Sequence, residues 1–94
     1  MIFRIEVLDA VKDDFSRLSA FLGDSPAGDR FADVLEEAVL SLSEMPHRGR
    51  PVAGDVRELI IPFGAGGYII RYRVRDQTVV VARIFHSLED RPLA

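Results

Sequence analysis

The chain has 94 residues, 48% of them hydrophobic and 29% charged, with a net charge of −3 and no cysteine. That length predicts one domain, 1–94, whose small core buries about 60–65% of the surface of the unfolded chain. The composition excludes a disulfide scaffold and thiolate metal sites. No apolar run approaches the ~20 residues of a bilayer span, and the N-terminus MIFRIEVLDA lacks the pattern of a signal peptide, so a cytoplasmic protein is expected.

Charge is unevenly spread. Residues 1–46 hold four basic and ten acidic side chains, a balance of −6, whereas residues 47–94 hold eight arginines and five acids, a balance of +3. An acidic whole with an arginine-rich half suits a protein partner at least as well as nucleic acid, because a dedicated nucleic-acid binder carries a stronger basic excess.

Phe3 to Val7 alternates apolar and charged residues, the period of a strand with one buried face. Asp9 is a candidate cap for a helix continuing from Lys12 to Leu22. In it Val11, Phe15, Leu18 and Leu22 fall on one face, and Gly23 is its stop. Ser25-Pro26 opens a second helix with a capping hydroxyl and a proline at the first turn. Phe31, Val34, Leu35, Ala38, Val39 and Leu42 form its apolar stripe, and Met45-Pro46 its end. So short a link predicts an antiparallel helical hairpin.

His47 to Asp55 reads as loop, Val56 to Ile61 as strand, and Phe63 to Gly67 as turn. That turn is no phosphate loop, because neither Lys-Ser/Thr nor a helix follows. Gly67 to Glu89 then carries two long strands joined at Asp76-Gln77. Tyr68, Ile70, Tyr72 and Val74 share one face, and Ile69, Arg71, Arg73 and Arg75 the other. Three unpaired arginines are too costly to bury, which places the tyrosine face inward. Thr78 to Phe85 is almost continuously apolar, as in a strand buried on both faces, and the tail from His86 is expected to fray. The predicted fold is α+β: an N-terminal strand, an antiparallel helical hairpin and a three-stranded antiparallel meander, with the helices on one sheet face.

Few residues could carry chemistry. His47 and His86 are the two histidines, neither in metal-ligand spacing, so no metal and no cofactor is called for. The serines lack a nucleophile context. General acid–base cleavage of RNA would need a base and phosphate-stabilising cations, for which Arg71, Arg73, Arg83, His86 and Glu89 are candidates. Against this, Arg83 could equally be a structural charge paired with an acidic neighbour.

Pro46-His47-Arg48-Gly49-Arg50, then Arg57-Glu58-Leu59, Tyr68-Ile69-Ile70-Arg71-Tyr72 and Arg83-Ile84-Phe85-His86 resemble, in order and spacing, the RelE/ParE superfamily of bacterial toxins. The resemblance runs from Asp9 to His86 and is greater to the ParE branch. It implies one of two activities: RelE-like cleavage of messenger RNA on the ribosome without a metal, or ParE-like inhibition of DNA gyrase by binding. Positions where RelE-like members carry cations are Glu58, Ile60 and Ile69 here, and no tyrosine follows His86. The expectation is therefore a gyrase-binding toxin with Arg71, Arg83, His86, Leu88, Glu89 and Arg91 as its target surface. If the protein is instead a ribonuclease, Arg71, Arg83, His86 and Glu89 would be catalytic, with His86 and either Glu58 or Glu89 as the acid–base pair. A third possibility is an inactive member that only binds its antitoxin. The resemblance also implies a ParD-like antitoxin that forms a hetero-oligomer with the toxin. Its disordered segment would fold onto Arg50, Arg57, Arg71, Arg73 and Arg83 and into an apolar groove beside the helical hairpin. No sequence-specific nucleic acid and no membrane partner is implied.

Overall fold

A computed structural model describes residues 2–92. In chain order it contains β1 (Arg4–Val7), α1 (Asp9–Leu22), α2 (Pro26–Ser41), β2 (Arg50–Ala53), β3 (Val56–Phe63), β4 (Gly66–Arg75) and β5 (Thr78–His86). The five strands form one sheet in the order β1-β5-β4-β3-β2. The last four are antiparallel, whereas β1 lies parallel to β5, Arg4 beside Thr78 and Val7 beside Val81. The α+β expectation holds, with one strand more than predicted. Arg50–Ala53 pairs with β3 through an irregular register. Its proline and its four-residue length suit an edge strand and disguise it as loop.

Alternation sorts the sheet into two faces. Leu59 and Ile61 of β3, Tyr68, Ile70 and Tyr72 of β4, and Val79, Val81 and Ile84 of β5 join Val11, Leu18, Phe31, Leu35, Ala38 and Leu42 in one core. Both helices therefore cover the same face, and the tyrosine face of β4 is the inward one, as the cost of burying arginines requires. Phe31 is the hub: its ring stacks on Phe15 at 5.4 Å and lies 4.6 Å from Tyr68.

The helix ends follow local chemistry. Ser25 accepts the Gly28 N–H at 3.1 Å, and Pro26 occupies the first turn. Asp9 does not cap α1; it is the first helical residue, after an extended Leu8. There it still meets the positive end of the helix dipole. Gly23 stops α1 at φ 60, a conformation open to glycine. α2 ends at Ser41, earlier than Met45-Pro46, because Leu42 and Ser43 turn back onto the carbonyls of Val39 and Leu40. No helix of the described residues is long and apolar enough to cross a membrane.

The apolar run of β5 is buried on both faces at Ile84 and Phe85, and it also hides a change of phase. Tyr68 to Arg71 pair with His86 to Arg83, but Tyr72 pairs with Val81, so Ala82 is an extra residue in the ladder. Such a bulge advances the side-chain alternation by one. Val79 and Val81 point to the core before it and Ile84 after it, so Arg83 and Phe85 fall on the outer face.

Candidate functional site

The outer sheet face carries a row of charges in register. Arg50, Glu58, Arg71 and Arg83 are neighbours on β2, β3, β4 and β5. Glu58 is the centre. Its carboxylate takes Arg71 at 3.0 Å, Arg91 at 3.3 Å and Arg50 at 3.6 Å. Burial pushes this carboxyl up, but Arg71 and Arg91 outweigh burial and hold it below the usual carboxylate range. Beside the row, Ile69 and Phe85 pair across β4 and β5, and the guanidinium groups of Arg71 and Arg83 lie 5.0 Å and 4.9 Å from the Phe85 ring. These contacts explain why two outward apolar side chains are buried away from the main core.

At the far side of β5, α1 supplies the counter-charge. β1 covers the β5 edge only to Val81. Beyond it, Asp14 of α1 accepts the Ile84 N–H at 2.9 Å and both nitrogens of the Arg83 fork, at 2.8 and 3.0 Å. Burial raises the Asp14 carboxyl, and its bonds from Arg83, Ile84 and Arg17 more than reverse this. Arg83 is thus a structural charge paired with an acid, one of the two readings open from the sequence. Asp14 was missed there, although it falls inside the Val11–Leu18 stripe, one turn from each, where a carboxylate is unusual.

The tail does not fray within the described residues. Arg17 pairs with Glu89 as well as Asp14, and Glu89 also accepts the His86 N–H at 2.8 Å. Arg71 donates to the carbonyls of Arg91 and Pro92. Ionic and backbone contacts supply an anchorage that apolar burial does not: Leu88 is 87% exposed. Leu93 and Ala94 lie outside the described residues.

One expectation is overturned by this geometry. Arg71, Arg83 and His86 do not gather at one open face. His86 pairs with Tyr68, and its ring meets the Tyr68 ring edge-on at 5.4 Å, on the helix side of the sheet. Arg71 and Arg83 lie on the other side, and Arg71 is 8% exposed under the tail. Arg83 and His86 are three residues apart in a regular stretch of β5, so alternation puts the sheet between the histidine and the cations. Glu58 and His86 are likewise on opposite faces, so they form no acid–base pair. Glu89 reaches His86 through the backbone N–H and not the ring, whose Nδ1 accepts the Leu88 N–H at 3.1 Å. Among the described residues no cluster of three metal-ligating side chains occurs.

The remaining arginines differ in availability. Arg57 is spent on the Gly49 and His47 carbonyls, which fixes the loop before β2. Arg73 and Arg75 share the single carboxylate Asp55, at 3.5 and 3.2 Å. Arg50 is more than half exposed. In the same region Gly49 explains its place in the motif: a Cβ there would lie 2.6 Å from Tyr72 Oη, which instead takes the Gly49 N–H at 2.8 Å. Two concavities flank α1. One, beside the helical hairpin, is lined by Ile5, Val7, Val11, Phe15, Leu35 and Val39. The other, of about 390 Å³, lies between α1 and the tail.

Residues 5–91 match the family model described as the ParE toxin of type II toxin-antitoxin system, parDE. The chain belongs to this family. Its curated relatives include three toxins of Caulobacter vibrioides. Toxin RelE1 is 45% identical over 93 residues, covering 97% of this chain and 100% of that one, and Toxin RelE2 is 36% identical over 80 residues, covering 85% and 82%. Among solved structures, that titled chromosomal ParDE TA system from P. aeruginosa superposes with a TM-score of 0.73 at 16% identity, over 90% of this chain and 96% of that one. The Helicobacter pylori protein HP0894 superposes with a TM-score of 0.54 at 18% identity, over 90% and 94%. The protein is therefore a toxin of the RelE/ParE superfamily, from a type II toxin–antitoxin system, and the resemblance read from its motifs is borne out.

Proposed function

We propose that this toxin acts in the cytoplasm by binding DNA gyrase, without chemistry of its own, and that a ParD-like antitoxin neutralises it. The observation that carries the reading is the division of the candidate residues by the sheet. RNA cleavage needs a base and free cations converging on one phosphate. Here the base candidate, His86, and the cations, Arg71 and Arg83, lie on opposite faces, and both cations are engaged by Glu58 and Asp14. The accessible part of the expected target surface is then the end of β5 and the tail: exposed Leu88 with the half-buried His86, Glu89 and Arg91.

For the antitoxin, the groove beside the helical hairpin offers an apolar bed, and Arg50 and Arg73 meet their carboxylates only at 3.6 and 3.5 Å. A disordered acidic segment that folds on binding would suit both. Arg71, Arg83 and Arg57 drop out of this surface, since each is already engaged.

The test is purified toxin in a gyrase supercoiling assay, beside a ribosome-dependent cleavage assay. Inhibition of supercoiling with intact messenger is the expected result. Cleavage at A-site codons with gyrase unaffected would replace this reading by a RelE-like ribonuclease. That second reading draws on the RelE names of the Caulobacter relatives. It would assign chemistry to Arg71, Arg83, His86 and Glu89.

A further inference from the structure

The cavity between α1 and the tail contains a hydroxyl with nothing to bond. Tyr68 is 6% exposed, wedged among Phe31, Phe63 and His86. Its hydroxyl has no hydrogen-bond partner among the described residues. Yet no sealed side-chain oxygen or nitrogen lacks a partner, so the hydroxyl reaches open space, and the cavity is the space that Tyr68 lines. Burial raises its pKa, which keeps the phenol neutral and a donor. His86 lines the same cavity. With Nδ1 accepting from Leu88, its remaining donor is Nε2–H.

The walls are apolar, from Leu18 and Leu22, and the rim is unusual. Phe21 and Leu88 are 86% and 87% exposed, the two most exposed large apolar side chains among the described residues, and both line this one cavity. One comes from the helix and the other from the tail. The Arg17–Glu89 pair between helix and tail holds the tail, and with it Leu88, to α1.

We propose that this cavity is the anchor pocket for the toxin's target. It takes one aromatic or branched aliphatic side chain from an extended protein segment, whose backbone carbonyl accepts the Tyr68 hydroxyl. The volume is within the ~300–1,000 Å³ of small ligand sites. Charge complementarity selects a neutral acceptor. The Tyr68 O–H presents a positive end. An anion would meet Glu89, and a cation would find that carboxylate already held by Arg17. Exposed apolar jaws over a buried polar group are what a protein anchor residue buries, and such anchors carry most of the affinity of an interface.

This inference rests on the reading that the toxin acts by binding a protein, and the two can fail separately. Phe21→Ser and Leu88→Ser change only exposed side chains, so both variants keep their thermal stability. Each is expected to weaken inhibition of gyrase supercoiling about tenfold or more, and Tyr68→Phe by a few-fold. Full inhibition by both serine variants, with wild-type inhibition intact, overturns the pocket and leaves the target. If wild-type toxin does not inhibit gyrase, the target reading falls. The pocket is then judged by NMR titration with N-acetyl-leucinamide and N-acetyl-phenylalaninamide. Saturating shifts confined to Tyr68, His86 and Leu88, lost in Tyr68→Phe, uphold it, and their absence overturns it.

Discussion

The carboxylate of Asp14, on a helix, accepts the backbone N–H of Ile84, on a strand, at 2.9 Å. It stands where the next strand would be if β1 ran further, and so satisfies an edge amide with a side chain. The same carboxylate holds both nitrogens of the Arg83 fork.

Asp14→Ala should therefore cost about 2–3 kcal/mol, measured by urea denaturation. The figure lies below that for a fully buried pair because the Arg83 side chain is partly solvated and can turn to water. Asp14→Asn, which retains an acceptor for Ile84 N–H, should lose less. Equal losses in the two variants would mean that the amide bond contributes nothing.

Glu58 binds Arg71, Arg91 and Arg50, and Arg71 is nearly buried. Glu58→Ala leaves a buried guanidinium without its carboxylate and should cost about 3 kcal/mol. Replacing both members, Glu58→Met with Arg71→Met, should recover much of that loss, since an apolar pair needs no charge compensation. Additive losses in this cycle would refute the coupling.

Acid should destabilise the protein through the same groups. Asp14, Glu58 and Glu89 all have carboxyls held below their ordinary values of 3.8, 4.5 and 4.5. A carboxyl with a depressed folded value binds fewer protons folded than unfolded, so stability rises with pH across that interval. The contribution is complete above the ordinary values and is lost as pH falls through the folded ones. Denaturation midpoints should hold steady down to about pH 5 and decline below about pH 4.5. Asp14→Asn should flatten the decline. A midpoint unchanged between neutral pH and about pH 3 would contradict it.

Gly49 and Tyr72 form a close backbone-to-ring contact inside the core. Gly49→Ala would drive a methyl into the Tyr72 ring and the Glu58 carbonyl, for a loss of about 1–3 kcal/mol. Tyr72→Phe removes the acceptor of a buried amide and should cost about 1–2 kcal/mol. In the Tyr72→Phe background the alanine should cost less, since the hydroxyl is the nearest clashing atom. A thermal melt of the three variants checks this.

Periodicity and capping made most of the fold legible. The helix stripes, the Ser25 cap, the Asp76-Gln77 turn and the inward tyrosine face were all readable, because each is set by neighbours within one or two turns of chain. The site was less so. That Arg83 meets Asp14, 69 residues away, depends on where β1 stops. That Arg83 faces outward, out of phase with Val79 and Val81, depends on a single unpaired residue in a ladder. Neither is a local property, and a run of Val, Ala, Ile and Phe hides a change of phase, since every position is apolar whichever way it points. The second strand was missed for a related reason: a short edge with a proline has the composition of a loop.

The bulge at Ala82 absorbs one residue without changing which face its neighbours occupy. Substituting Ala82 should change little, but deleting it would bring β5 back into strict alternation with β4. Arg83 would then follow Val81 directly, still opposite Arg71, so Arg83 and Phe85 would stay on the outer face and Ile84 and His86 on the helix side. The charged row would keep its members and the cavity its histidine, and the local bend and extra twist of the bulge would be lost. A family member one residue shorter here would keep the same division of labour between its two sheet faces, with a plain ladder in place of the bulge.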